Sequence, residues 1–103
     1  MEVFGRLQEI SRRLKKEYRA ERVLLFGSHA KGTATENSDV DILVIVPTDE
    51  RFFERRATVL RVVRDLYPGL ALSPIVLCPD EVADRLRKGD SFIQEIVELG
   101  VEL

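Results

Sequence analysis

Two apolar runs, residues 22–26 and 40–46, are separated by a short polar connection that opens with Gly27-Ser28-His29-Ala30-Lys31-Gly32 and closes with Ser38-Asp39. No other stretch restricts the fold as much. The first run is short and bounded by glycine, and the second is rich in Val and Ile, the pattern of strands buried in a sheet. Side chains alternate along a strand, so Asp39 and Asp41, two residues apart, project to the same side.

That pairing has chemical consequences. Two carboxylates held so close raise each other's pKa unless a cation lies between them. A hard divalent ion such as Mg²⁺ suits carboxylate oxygens and commonly completes its shell with substrate phosphates. The Gly27-Ser28 turn supplies the complementary half. Glycine admits close approach of the backbone to a ligand, and exposed N–H groups with the Ser28 hydroxyl can hold phosphate oxygens. Lys31 stands where it can neutralise a triphosphate or remain solvated. Asp39 and Asp41 are therefore the candidate metal ligands and catalytic residues, and Gly27, Ser28 and Lys31 the candidate nucleotide-binding residues.

The same residues carry a family resemblance. Phe26-Gly27-Ser28 before Ala30-Lys31-Gly32, then Ser38-Asp39-Val40-Asp41 leading into an apolar strand, resembles the signature of the DNA polymerase β-like nucleotidyltransferase superfamily. The short chain is similar to its minimal nucleotidyltransferase branch. The resemblance is close over about residues 22–46 and elsewhere rests on the order of elements. It implies a polymerase β-like fold, ATP as nucleotide donor and transfer of AMP to a hydroxyl. It also implies an antitoxin role, in which a tyrosine of a HEPN-type ribonuclease partner is modified. One departure stands out. Family enzymes usually bring a third carboxylate from the third strand, and counting back from Cys78-Pro79 places that position at Ser73. Serine cannot serve as the base there, so the alternative is a catalytically weak module that neutralises a HEPN-type partner by binding alone.

The whole chain has 103 residues, enough for one domain over residues 1–103 and no second. With 16 Lys and Arg against 18 Asp and Glu, its formal charge of −2 offers no general attraction to nucleic acid, so a nucleic-acid partner is not supported. One cysteine cannot form an internal disulfide, and no Cys/His spacing suits zinc. No leader pattern and no membrane-length apolar run is present, so the expectation is a cytoplasmic protein without a membrane partner. Self-association as a homo-oligomer is left open.

Periodicity predicts a helix over 2–19, with Val3, Leu7, Ile10, Leu14 and Tyr18 on one stripe. A second is expected over about 49–67, capped by Thr48, with Phe52, Phe53, Val59 and Leu60 on its apolar side. Its arginines, among them Arg51, Arg55 and Arg56, alternate with acids and read as a solvated face with i,i+4 pairs. A third strand over 70–77, helices over about 80–88 and 90–99, and a short closing strand complete the order. His29 reads as a loop side chain and Cys78 as a helix-start residue. The fold class expected is α/β (α+β), a small mixed β-sheet with helices mainly on one face.

Overall fold

The chain folds as α1 (Val3–Glu17), β1 (Arg22–Phe26), α2 (Ser28–Lys31), β2 (Val40–Ile45), α3 (Phe52–Val62), β3 (Leu72–Leu77), α4 (Pro79–Arg87), α5 (Ser91–Leu99) and β4 (Val101–Glu102), in a computed structural model that describes residues 2–103. The strands form one sheet in the order β3-β2-β1-β4. β1 runs antiparallel to β2 and β4, while β2 and β3 are parallel and connected through α3. This is the mixed sheet that the sequence predicts.

Alternate residues of each strand feed opposite faces. Val23, Leu25, Ile42 and Val44 pack with Leu7, Ile10 and Leu14 of α1 and with Val59 of α3. Leu24, Leu43, Ile45 and Leu77 pack with Val82 of α4 and with Ile93 and Ile96 of α5. The two longest helices thus share one face as expected, but α4 and α5 clothe the other, so coverage is more even than predicted. β2 is the cause: Ile42, Leu43, Val44 and Ile45 are all buried, and such a strand cannot leave either face in water.

Helix ends follow their local chemistry. α3 starts at Phe52 rather than near residue 49, because the Thr48 hydroxyl accepts from the Glu50 N–H at 3.1 Å and closes a turn ahead of the helix. It stops at Val62, not 67, where the Arg13 guanidinium donates to the Val62 carbonyl at 3.2 Å and to Asp65 at 2.9 Å. A cation on those last carbonyls opposes the negative end of the helix dipole. Cys78 does precede α4; its N–H donates to the Glu81 carboxylate at 2.7 Å, and its thiol reaches the Thr48 carbonyl at 3.4 Å.

The α3 arginines do not all lie on the solvated face that the sequence predicts. Arg55 is only 6% exposed, and its guanidinium donates to Glu81 Oε1 at 2.6 Å and to the Glu50 and Val76 carbonyls at 3.1 and 3.3 Å. Among the described residues no ion pair runs along α3 itself; the Arg55 pair crosses to α4. Phe52 and Phe53, expected on the apolar side, are both exposed.

Candidate active site

Strand register gathers the site. On the face that carries α4 and α5, Asp41 of β2 lies opposite Phe26 of β1 and beside Ser73 of β3, so Phe26, Asp41 and Ser73 make one row across the sheet. Asp39 is exposed just before the strand, and the connection leading to it is tightened by the Ser38 hydroxyl, which accepts from the Thr35 N–H at 2.8 Å.

Gly27 meets this row directly. Its φ of 75° and ψ of −154° fall in a region almost confined to glycine. A Cβ there would sit 2.5 Å from Asp41 Oδ2, so the backbone at the turn lies against the carboxylate. Immediately after it the chain enters α2, a single turn; the residues expected as a loop, His29 included, are helical. The Ala30 and Lys31 N–H groups both donate to the Gly27 carbonyl at 3.1 Å, which leaves the earlier N–H groups of Ser28 and His29 as those suited to contact an anion beside Asp41. Gly27→Ala should cost about 2 kcal/mol or more and lower the melting temperature by roughly 10 °C. It should also weaken nucleotide binding; an unchanged melt and unchanged binding would show that neither the strain nor the contact matters.

Among the described residues, no hydrogen bond or ion pair engages the Asp39 or Asp41 carboxylate. Burial first and the Asp39 charge second push the Asp41 carboxyl above its ordinary pKa, while the His29 charge acts in the opposite direction. Two hard carboxylates, a serine hydroxyl and backbone N–H groups fit Mg²⁺ shared with phosphate oxygens. Among the described residues no group of three or more His, Cys, Asp or Glu side chains gathers to hold a metal without such help. Lys31 is exposed and pairs with Glu95 of α5 at 3.6 Å. Exposed pairs of this kind contribute at most about 1 kcal/mol, so Glu95 does not hold Lys31 firmly in place.

Beside the turn, α2, β1 and α5 enclose a mainly apolar cavity of about 190 Å³. Of its walls, the sequence singles out Gly27 and Lys31 and places a helix over 90–99, but it assigns Phe92, Glu95, Ile96 and Leu99 no part in a site. The available signal was the excess of large apolar residues on a helix of nine, Phe92, Ile93, Ile96, Val97 and Leu99, more than one buried stripe needs. A second, more polar cleft lies between Pro47–Asp49 and Cys78–Asp80, at the far ends of β2 and β3. It contains none of the predicted site residues.

The chain belongs to the nucleotidyltransferase domain family, whose profile matches residues 7–102. It is similar to two Methanocaldococcus jannaschii proteins whose names propose protein adenylyltransferase activity. MJ1305 is 39% identical over 67 residues, 59% of this chain and 44% of that protein, and MJ0141 is 33% identical over 84 residues, 81% of this chain and 78% of that protein. The chain thus matches less than half the length of MJ1305. A crystal structure of a proposed nucleotidyltransferase from Sulfolobus solfataricus is similar in fold, with a TM-score of 0.58 at 28% identity, covering 81% of this chain and 72% of that one. Among the described residues, no helix is long and apolar enough to cross a membrane.

Proposed function

We propose that this chain transfers AMP from ATP to a hydroxyl acceptor, a tyrosine of a HEPN-type ribonuclease, and so acts as an antitoxin. The carrying observation is the contact between the Gly27 backbone and the Asp41 carboxylate. It supports the reading by bringing the Gly27 turn beside Asp41, the kind of juxtaposition that nucleotidyl transfer needs. The names of the relatives support the adenylyl donor and a protein acceptor.

In this reading Asp39 and Asp41 hold Mg²⁺, and Gly27, Ser28 and Lys31 hold the phosphates. Bound there, the ion would neutralise charge on the triphosphate as pyrophosphate departs. Asp39 and Asp41 fix where that charge is met. Ser28 and the α2 backbone orient the phosphate chain for in-line attack, and Lys31 moves from Glu95 to oppose the negative charge of the leaving group. The acceptor oxygen forms its bond to the α-phosphorus as the α–β bridge breaks, and its proton passes to solvent.

A specific observation favours the second reading, a weakly catalytic or inactive binding module. Ser73 stands in register beside Asp41 and offers a hydroxyl where a third carboxylate would help activate the acceptor. Ser73→Asp should raise pyrophosphate release from Mg·ATP in the presence of a HEPN-type acceptor by about tenfold or more. A folded variant with a lower rate would mean that this position does not serve the acceptor. No release from either protein, alongside a stable complex with the acceptor, would favour the module.

A further inference from the structure

We infer that the cavity between α2, β1 and α5 is the nucleobase subsite and that Glu95 biases it toward a base with an exocyclic amino group; this rests on the metal-nucleotide reading of Asp39, Asp41 and the Gly27-Ser28 turn. Size comes first. At about 190 Å³ the cavity is only somewhat larger than an engineered pocket of about 150 Å³ that accepts benzene, and far smaller than the roughly 300–1,000 Å³ of sites for whole drug-sized ligands. That volume is on the scale of one flat ring system, with the rest of a nucleotide lying outside it.

Its walls suit such a ring. Phe26 and Phe92 meet edge to face with centroids 5.7 Å apart, and Ile96 and Leu99 extend the apolar surface. Phe92 is 50% exposed and Leu99 72%, so large apolar side chains on one side of α5 stand in water beside a polar site. A base laid on them removes that surface from water and stacks on an aromatic face.

Position selects the nucleobase over the acceptor as occupant. The cavity shares Gly27 with the phosphate turn and Lys31 with the proposed phosphate contacts, so a base and triphosphate joined by one ribose can reach both. Phe26 and Ser73 flank Asp41 on opposite sides of the row. The acceptor belongs on the Ser73 side, where a third carboxylate would act on it, and in-line displacement keeps acceptor and leaving group apart. The Phe26 side is left for the donor's base.

Glu95 gives the subsite its polarity. Its half-exposed carboxylate shares the rim with Lys31, and once Lys31 turns to phosphate it is free to accept from a bound base. Adenine and cytosine present an exocyclic amino group to such an acceptor, whereas uracil presents a carbonyl oxygen.

The test is equilibrium binding of ATP, UTP and inorganic tripolyphosphate, each with Mg²⁺, to the intact chain and to Phe92→Ala, Leu99→Glu and Glu95→Ala, with melting curves to confirm folding. The subsite predicts that Phe92→Ala weakens ATP about tenfold and leaves tripolyphosphate unchanged. Leu99→Glu, at an exposed position that tolerates charge, should act in the same direction. Glu95→Ala should bring the ATP and UTP affinities together, whatever freeing Lys31 does to both. Tripolyphosphate and ATP binding equally, with no effect of Phe92→Ala, would overturn the subsite and leave the phosphate site standing. Loss of neither ligand in Asp39→Asn/Asp41→Asn, or binding of neither to the unaltered chain, would overturn both.

Discussion

Replacement of Asp39 and Asp41 together by Asn is expected to abolish Mg²⁺-dependent ATP binding and to lower any nucleotidyl transfer by roughly a thousandfold or more, with the fold intact. In the proposed reaction, several kcal/mol of charge stabilisation at the α-phosphorus would come from a cation anchored by these two carboxylates. Fold survival follows from the same electrostatics. Asp41 lies half-buried beside Asp39 with its pKa raised, so its charged form is disfavoured in the folded chain. A carboxyl whose folded pKa exceeds its unfolded one adds stability when protonated. That stability is lost as pH rises from the ordinary carboxylate value through the raised one. The ligand-free double variant should therefore melt at the same temperature as the parent in acid and at a higher one near neutrality. Melting curves between about pH 4 and pH 8 check this, and added Mg²⁺·ATP should reverse the order by stabilising the parent alone. A variant that melts lower at every pH would assign the aspartates a structural role.

Arg55→Ala should have the largest effect on stability, a loss of about 3 kcal/mol and a fall in melting temperature of roughly 15 °C, far from the proposed site. The guanidinium joins α3 to Glu81 at the start of α4 and to the carbonyls of Glu50 and Val76, and it stacks over the Phe52 ring at 5.7 Å. Its removal strands these acceptors and opens a void. Because Glu81 is partly solvated, the loss lies at the lower end for a broken buried pair. Around it the Tyr18 hydroxyl donates to Glu50 at 2.6 Å and the Thr58 hydroxyl at 2.5 Å. Burial, with help from Glu50, pushes the Tyr18 phenol up to about 12, so it stays a donor. The Arg55 hydrogen bond holds Glu81 below the usual carboxylate range, and the Thr58 and Tyr18 hydroxyls hold Glu50 there. Depressed carboxyls stabilise the fold above their unfolded pKa and lose that contribution as pH falls through the folded values. The Arg55→Ala penalty should accordingly shrink in acid. A penalty independent of pH would mean that packing, not the ion pair, carries it.

What the sequence discloses depends on how local the cause is. The nearness of the Gly27 turn to Asp41 is readable because a turn and a strand start, both local features, place them whatever packs around them. Ser73 is reached by counting back from Cys78-Pro79 on the family pattern, but its pairing with Asp41 is not, because two apolar runs say nothing of strand direction or register. Arg55 is not readable either. It reads as one more charge on a polar helix, and only contact with Glu81, 26 residues later, makes it a buried joint. The exposed Phe52 illustrates the same limit, because it serves the guanidinium rather than the core. The cavity beside Gly27 is hidden for a related reason: α2 and α5 meet across more than 60 residues, and helical periodicity does not say which apolar side chains remain uncovered.

The most direct measurement is the intact mass of a HEPN-type acceptor after incubation with this protein, ATP and Mg²⁺, with the Asp39→Asn/Asp41→Asn variant in parallel. Nucleotidyl transfer predicts one or more added AMP units on the acceptor, absent with the variant. An acceptor of unchanged mass in a stable complex with the unaltered chain would contradict transfer and leave a fold of this family that works by binding.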